Sequence, residues 1–250
     1  INDLAIRMVA DAVSGEGGEV FTADDDPELI ADALPFALKL YESLLEQAPD
    51  HRGLILSTGS GYIMYANAFL QTPAMMLPFT EYEKKQEMIA RAKKLHLRGR
   101  DILLEGFSLR YPAIATDMDR ETLSEILEKM DESDVSFLYW IGAGWMSAYA
   151  IEPFDLSVSA NIDIAIALLK RALEIQPDFS NGALHDLFIQ YYASFPMEKS
   201  EEKAREHFDK AVEASDGMLA SPYVSLASTI SVQNQDYLEF KTLLEAALDI

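Results

Sequence analysis

The sequence contains no cysteine, and this absence removes several classes of protein at once. Without thiols the chain has no disulfide scaffold, no thiolate metal site and no cysteine nucleophile. Basic residues are also scarce, with 20 Lys and Arg against 42 Asp and Glu, for a formal net charge of −22. This balance argues against binding to nucleic acid or to an anionic membrane surface, because both depend on clustered Lys and Arg.

Long apolar runs are missing as well. No stretch approaches the ~20 residues that a bilayer-spanning helix needs. Residue 1 is Ile rather than Met, so we expect the sequence to begin after a removed leader, and a lipid-anchor cysteine could have been removed with it. The remaining composition is that of a globular protein, with 49% apolar and 25% charged residues over 250 positions, enough for a substantial core.

Apolar residues recur every three or four positions along most of the chain, which is the spacing of helices with one buried face. After an N-terminal helix and a glycine-rich break at 15–18, Asp26, Pro27 and Glu28 combine an N-cap, a first helical residue and a favourable first-turn charge. Alternating strand patterns are scarce. We therefore predict an all-α fold of about eleven helices, with segments at 27–47 (with a bend or restart at Pro35), 53–70 (followed by breakers at Pro73 and Pro78), 81–109, 120–130, 134–150, 159–175, 179–194, 200–215, 222–232 and 236–249.

Several segments share the spacing of a tetratricopeptide repeat. The second helix of that repeat carries a small residue, a large one four positions later, a small one three after that, and proline five further on. The matching sets are Ala165, Leu169, Ala172 and Pro177 in full, and Ala37, Tyr41, Leu44 and Pro49, together with Ala204, Phe208 and Ala211, in part. We predict one domain over 1–250: an N-terminal helix and acidic loop at 1–26, then an irregular stack of antiparallel helix pairs, an α-solenoid, at 27–250.

Motifs for catalysis or metal binding do not emerge. The four histidines are far apart in sequence, and no nucleophile elbow, phosphate loop or His-Glu-x-x-His pattern is present. The run Asp24–Asp26 could suggest calcium, but consecutive Asp residues do not supply the alternating ligands of a calcium loop, and helix capping explains them better. We expect no catalytic residue, no metal site and no cofactor.

The basic residues are concentrated in one segment. Seven of the 20 lie in the predicted helix 81–109, as Lys84, Lys85, Arg91, Lys93, Lys94, Arg98 and Arg100. One interpretation is that these side chains pair with acidic neighbours. The other is that Arg98 or Arg100 points inward and holds an anion or a polar network, for which the planar guanidinium is suited.

Aromatic residues crowd two later segments, where they are either core or the lining of a cleft. Glycines next to the tryptophans of the 134–150 helix could leave concave space. Tyrosines on the 53–70 helix could line the same hollow, and His185 is either packed or faces a cleft. The candidate cleft residues, including the two arginines, are Tyr62, Tyr65, Asn67, Arg98, Arg100, Trp140, Trp145, Tyr149, His185 and Tyr192.

Four stretches of the sequence occur in order along the chain: 25–42, Tyr65-Ala66-Asn67-Ala68-Phe69, Leu97-Arg98-Gly99-Arg100, and the tail from His207 through Pro222 to Leu244. This ordered set resembles a known family, the T component associated with TRAP transporters (TatT). The resemblance implies an all-α periplasmic lipoprotein of tetratricopeptide-like helix pairs that partners the substrate-binding P component. Family members can be trimeric and carry a hollow that is thought to take a small organic ligand, and the family supplies no catalytic residues.

Three hypotheses follow from the sequence. The leading one is a non-enzymatic, lipid-anchored periplasmic helper of solute uptake, which docks the P component and holds or passes a small organic ligand. The second is a generic helical-repeat adaptor without a small ligand, and a filled region around Trp140 and Trp145 would favour it. The third is an enzyme using His185 or Asp24–Asp26. Self-association, as a homotrimer, is expected only from the resemblance.

Overall fold

A computed structural model describes residues 2–14, 24–115 and 118–250. It is all helical, with 79% helix and no strand among these residues, as the sequence predicts. The chain divides into two compact units, residues 1–168 and 169–250. The predicted glycine-rich break at 15–18 lies outside the described residues, and the single-domain organisation stays a prediction.

The described residues contain eleven helices, besides shorter helical turns such as Leu156–Ser159, and this number agrees with the prediction. The first unit contains α1 (Asn2–Ser14), α2 (Pro27–Leu45), α3 (Arg52–Ala66, continued by a π-helical turn Asn67–Gln71 and by Thr72–Met76), α4 (Tyr82–Ser108), α5 (Arg120–Leu127) and α6 (Val135–Ile151). The boundary between the units falls in α7 (Ile162–Ile175). The second unit contains α8 (Phe179–Ser194), α9 (Glu201–Ala214), α10 (Ser221–Leu226, continued by a π-helical turn Ala227–Ser231) and α11 (Tyr237–Leu248).

The start of α2 follows the predicted capping signal. The Asp26 side chain accepts a hydrogen bond from the Leu29 backbone N–H at 3.0 Å, and Pro27 is the first helical residue. Because the first turn of a helix has N–H groups without an internal partner, this cap stabilises the helix by roughly 1 kcal/mol. The expected bend or restart at Pro35 does not divide the helix, which continues to Leu45.

Pro73 does not end α3, so the predicted boundary near residue 70 is wrong. The helix widens into a π-helical turn at Asn67–Gln71 and continues to Met76. A proline ring normally collides with the carbonyl four residues earlier and removes one N–H bond. The wider turn that directly precedes Pro73 relieves this conflict, since π-bulges shift the hydrogen-bond register of the backbone.

Glycines let the helices of the first unit approach backbone to backbone. A Cβ atom on Gly99 of α4 would overlap the carbonyl oxygen of Gly59 on α3, and it would lie 2.7 Å from Cγ1 of Ile63. Contacts between Gly106 and Ile55 at the far end show that the two helices run antiparallel. α4 therefore forms the centre of this unit, with α3 on one side and α6 on another.

The second unit is built on a similar close approach between α8 and α9. Gly182 of α8 has a φ of 89°, and a Cβ atom there would lie 3.1 Å from Cα of Ala211 on α9. Ala211 is one of the small residues in the predicted repeat spacing, and its role here is the expected one of admitting a neighbouring helix. The stacked-repeat arrangement as a whole stays a prediction.

Candidate functional site

The ten predicted cleft residues are divided between the two units. Eight lie in the first unit, and His185 and Tyr192 lie in the second. Direct contacts join Arg98 to Tyr62, and Arg100 to Trp145. Buried positions hold Tyr62, Tyr65, Arg100, Trp145, His185 and Tyr192; Trp140 and Tyr149 are half-buried; Asn67 and Arg98 are exposed.

Arg98, Glu42 and Tyr62 form a polar cluster at the edge of the first unit. The Arg98 Nε–H donates to Glu42 Oε1 at 2.5 Å, and the guanidinium lies 4.9 Å from the centre of the Tyr62 ring. Lys39 also donates to Glu42. Burial raises the pKa of Tyr62 to about 12, and the nearby Glu42 charge adds to the shift. The cluster ties α2, α3 and α4 together.

Around Glu42, hydrogen bonding decides the charge state. Burial alone would raise the pKa of this carboxyl. Hydrogen bonds from Lys39, Arg98 and Tyr62 outweigh that effect and lower its pKa below the ordinary value. Glu42 is therefore ionised and already fully engaged, so this cluster supports structure and leaves Arg98 with little capacity for a second anion.

Arg100 is the inward-pointing arginine that one of the two sequence interpretations expects. It is only 8% exposed, and its guanidinium stacks 4.7 Å from the Trp145 ring centre. Its Nε and Nη2 atoms both donate to Asp101 Oδ1, at 2.8 and 2.7 Å. The buried Nη1 has no hydrogen-bond partner among the described residues. That atom is the one unsatisfied cationic donor in the predicted set.

The space near Trp145 is filled. The Trp145 side chain is 1% exposed and donates from Nε1 to the carbonyl oxygen of Val158 at 2.9 Å. Beside it, a Cβ atom on Gly144 would lie 2.7 Å from Cδ1 of Ile63, so the side chain of Ile63 occupies the room that this glycine leaves. Trp140 packs edge-on against Tyr139 at 5.0 Å. Gly144 serves close helix packing here.

His185 in the second unit pairs with His207, a residue that sequence reasoning did not connect with it. Their Nδ1 atoms lie 2.8 Å apart, so one ring donates and the other accepts. The His207 ring stacks on Phe188 and Tyr192, at 5.2 and 5.4 Å between centres. Burial lowers the pKa of both histidines, that of His207 to about 4, which keeps the pair neutral near pH 7.

Within the described ranges, no group of three or more His, Asp and Glu side chains is arranged to hold a metal ion. A buried polar cluster surrounds Asp134, a completely buried carboxylate that Arg52, Arg110 and Tyr111 contact. These three partners lie more than 20 residues away along the chain, so no local motif predicts their contacts with Asp134.

Two open grooves run along α4, and both are lined by apolar side chains and by charged residues of both signs. The first has a volume of about 580 Å³ and lies between α4 and the end of α6, lined by Gln86, Ile89, Ala90, Lys93, Lys94, Leu97, Ile151, Glu152 and Asp155. The second, of about 590 Å³, is lined by Arg91, Lys94, Leu95, Leu97, Arg98, Asp101, Ile102 and Glu105. Of the ten predicted residues, Arg98 alone lines either of these two grooves.

The structure thus defines an all-helical protein with two open grooves along one basic helix. Comparison with known proteins is consistent with this class. The sequence matches the TRAP transporter T-component family over residues 23–250, and the chain belongs to that family. It is also 36% identical to an uncharacterized protein of Treponema pallidum (strain Nichols), over 92% of this chain and 73% of that protein.

Family membership makes the protein an accessory component of a TRAP transporter. None of the helices in the described ranges combines the length and the apolar character needed to cross a bilayer.

Proposed function

We propose that this protein docks the substrate-binding P component of a TRAP transporter and takes no part in covalent chemistry. The observation that carries the proposal is the family match, which covers residues 23–250. In this proposal the protein works in the periplasm, held to a membrane by a lipid anchor outside the present sequence. Its helix pairs act as tetratricopeptide-like packing units, and three copies assemble into a homotrimer.

Exposed apolar side chains support a docking role. Phe79 is 90% exposed and Phe154 is 93% exposed, and both stand at the ends of helices in the first unit. Met76 and Leu156 beside them are 79% and 77% exposed. Large apolar side chains in such positions are typical of surfaces that a partner protein covers.

The direct test is binding between the full-length, lipidated protein and the P component encoded with it. We expect a complex with a dissociation constant in the micromolar range or tighter, measured by isothermal titration calorimetry and by cross-linking in the periplasm. Absence of binding at tens of micromolar by both methods would remove the proposed function. An unrelated periplasmic binding protein serves as the specificity control.

Ligand handling is the finer part of the proposal, and Arg100 is the residue best placed for it. Its unpaired Nη1 could donate to a carboxylate, which suits a small organic acid. Arg100→Met keeps much of the side-chain volume and removes the donors. We expect small organic acids to raise the melting temperature of the wild type and not that of Arg100→Met, with Arg171→Met as a control on another helix.

One observation favours the ligand-free adaptor as a second candidate. Ile63 fills the space beside Gly144, and Trp145 is buried, so the predicted aromatic hollow is packed at this point. If the melting temperature of the wild type does not respond to any organic acid while the P component still binds, the adaptor describes the protein better.

A further inference from the structure

The basic residues of α4 divide into two groups by their partners. Four of them are paired: Lys84 with Glu81, Lys93 with Glu152 and Asp155, Arg98 with Glu42, and Arg100 with Asp101. Lys85, Arg91 and Lys94 make no ion pair with any described residue. In a chain of net charge −22, where acidic residues outnumber basic ones by two to one, unpaired cations on one helix are unexpected.

Arg91 and Lys94 lie on an open face of α4. Both are exposed, and the guanidinium carbon of Arg91 lies 5.9 Å from the centre of the Tyr65 ring. Their spacing of three residues, continued four residues later by Arg98, places the three cations on one stripe about 10 Å long. Beyond Arg98 the charge along this face of α4 becomes negative, because Asp101 and Glu105 follow.

This stripe stands as a ridge between the two grooves. Lys94 and Leu97 line both grooves, so α4 separates them and projects between them. Apolar floor is available on either side, from Ile89 and Ile151 in one groove and from Leu95 and Ile102 in the other. An apolar surface with arginine at its edge has the composition of protein interfaces, and a ridge between grooves suits the packing of a partner helix.

Charge decides what kind of partner fits. The rest of the chain is strongly acidic and repels an acidic protein, whereas the unpaired Arg91 and Lys94 attract one. An acidic surface would therefore be steered to this face in preference to others, and the sign change toward Asp101 and Glu105 would fix its direction along α4. We propose that the Arg91–Lys94 face of α4 is the docking surface for an acidic face of the P component.

This inference rests on the proposed function, because it takes the P component as the occupant and adds the surface and its chemistry. The matching face should carry Asp or Glu side chains one helical turn apart, opposite Arg91 and Lys94. Such contacts between charges at the rim act mainly on the association rate and on its dependence on salt.

The test is charge reversal in the full-length protein, Arg91→Glu with Lys94→Glu. We expect binding to the P component to weaken by about 10-fold or more at low salt, and the salt dependence of the dissociation constant to become shallower. The matched control is Lys129→Glu with Lys199→Glu. Those lysines are also exposed and make no ion pair with a described residue, and their reversal changes the net charge equally.

The outcomes separate the two proposals. If the wild type does not bind the P component, the proposed function fails before α4 is tested. If the wild type binds and the α4 variant binds equally well, or if the control weakens binding as much, the α4 surface is wrong and the proposed function stands. Melting curves show whether each variant is folded. If the Arg91→Glu, Lys94→Glu variant does not fold, Arg91→Gln with Lys94→Gln takes its place in the binding measurement.

Other occupants would give different results. Vesicles with 30% phosphatidylglycerol that bind the wild type and lose the α4 variant, without any change in P-component binding, would assign the face to lipid and overturn the proposal. If the α4 variant sediments more slowly than the wild type and the control, while its binding to the P component is unchanged, the variant has lost self-association. The face would then be assigned to a second copy of this chain.

Discussion

Each unit buries a polar cluster, and the two clusters are built on opposite principles. In the first unit, Asp134 is completely buried as a carboxylate and accepts hydrogen bonds from Arg52 and Arg110, both at 2.9 Å, and from the Tyr111 hydroxyl at 2.6 Å. The Asp131 backbone N–H adds a fourth, at 3.2 Å. The charge is kept, and every part of it is matched by a donor.

In the second unit, the buried cluster is neutral near pH 7. His185 and His207 share one hydrogen bond, and the His207 ring stacks on the rings of Phe188 and Tyr192. Burial is the main reason that both pKa values fall, and the charges of Lys210 and Lys203 lower that of His207 further, while Glu206 opposes them. A buried polar group can thus stay charged with several donors around it or stay neutral among rings.

The comparison predicts that removing the buried charge has the largest effect. Asp134→Asn keeps the shape but leaves two arginines and a tyrosine hydroxyl facing an amide. We expect a loss of about 3–5 kcal/mol in the free energy of unfolding, since breaking one side of a buried ion pair leaves unmatched charge. Urea denaturation followed by circular dichroism measures it.

Asp131→Asn is the control for that substitution. Asp131 also pairs with Arg110, at 2.8 Å, but its side chain is 58% exposed. We expect a loss of about 1 kcal/mol or less. Equal effects of the two substitutions would show that burial of Asp134 does not set its contribution.

The neutral cluster predicts a pH dependence of stability. The pKa of His207 is about 4 in the folded protein and about 6.5 when unfolded. The unfolded chain therefore binds the proton more readily between these values, and stability falls as the pH drops from about 6.5 to about 4. The slope contributed by this group is at most about 1.4 kcal/mol per pH unit.

His207→Gln tests this dependence, because the amide can keep a hydrogen bond to His185 without titrating. We expect a shallower loss of stability across the same pH range, measured by thermal unfolding at several pH values. Part of the slope should remain, because burial also lowers the pKa of His96 in the first unit to about 4. An unchanged slope would contradict the assignment to His207.

Glu42 pairs with Arg98 through the same carboxylate and guanidinium groups, but at a partly exposed site. Glu42→Gln weakens the attraction of Arg98 and Lys39, and we expect a loss of about 1 kcal/mol. The pKa of Tyr62 should fall from about 12 toward its ordinary value and stay above it, because burial is the larger cause. Tyrosine ring NMR during a pH titration measures the shift, and a constant Tyr62 pKa would contradict the contact.

The smallest effect is expected where both charges are exposed. Lys84 and Glu81 lie 3.1 Å apart on the surface, three residues from each other. Lys84→Met should change the free energy of unfolding by less than about 0.5 kcal/mol, because solvent and salt screen such pairs. A loss above 1 kcal/mol in the same denaturation assay would break the order from buried to exposed.

Much of the fold was predictable from the sequence, and the exceptions have identifiable causes. The spacing of apolar residues and the capping residues located the helices, including Asp26 and Pro27 at the start of α2. The predicted end of α3 was wrong because a π-helical turn before Pro73 has no recognisable sequence signal. The candidate site was less predictable, since glycines next to tryptophans indicate either a hollow or close helix packing, and Ile63 from another helix decides which.

By itself, the sequence determined that this protein is all-helical, that its charge is strongly negative, and that its cations gather on α4, because these properties depend on local spacing and composition. The tertiary structure alone decided which of those cations are paired, which histidine faces His185, and that Asp134 is surrounded by donors. Those outcomes depend on side chains that are distant along the chain and meet only when helices pack, and no local pattern records where they meet.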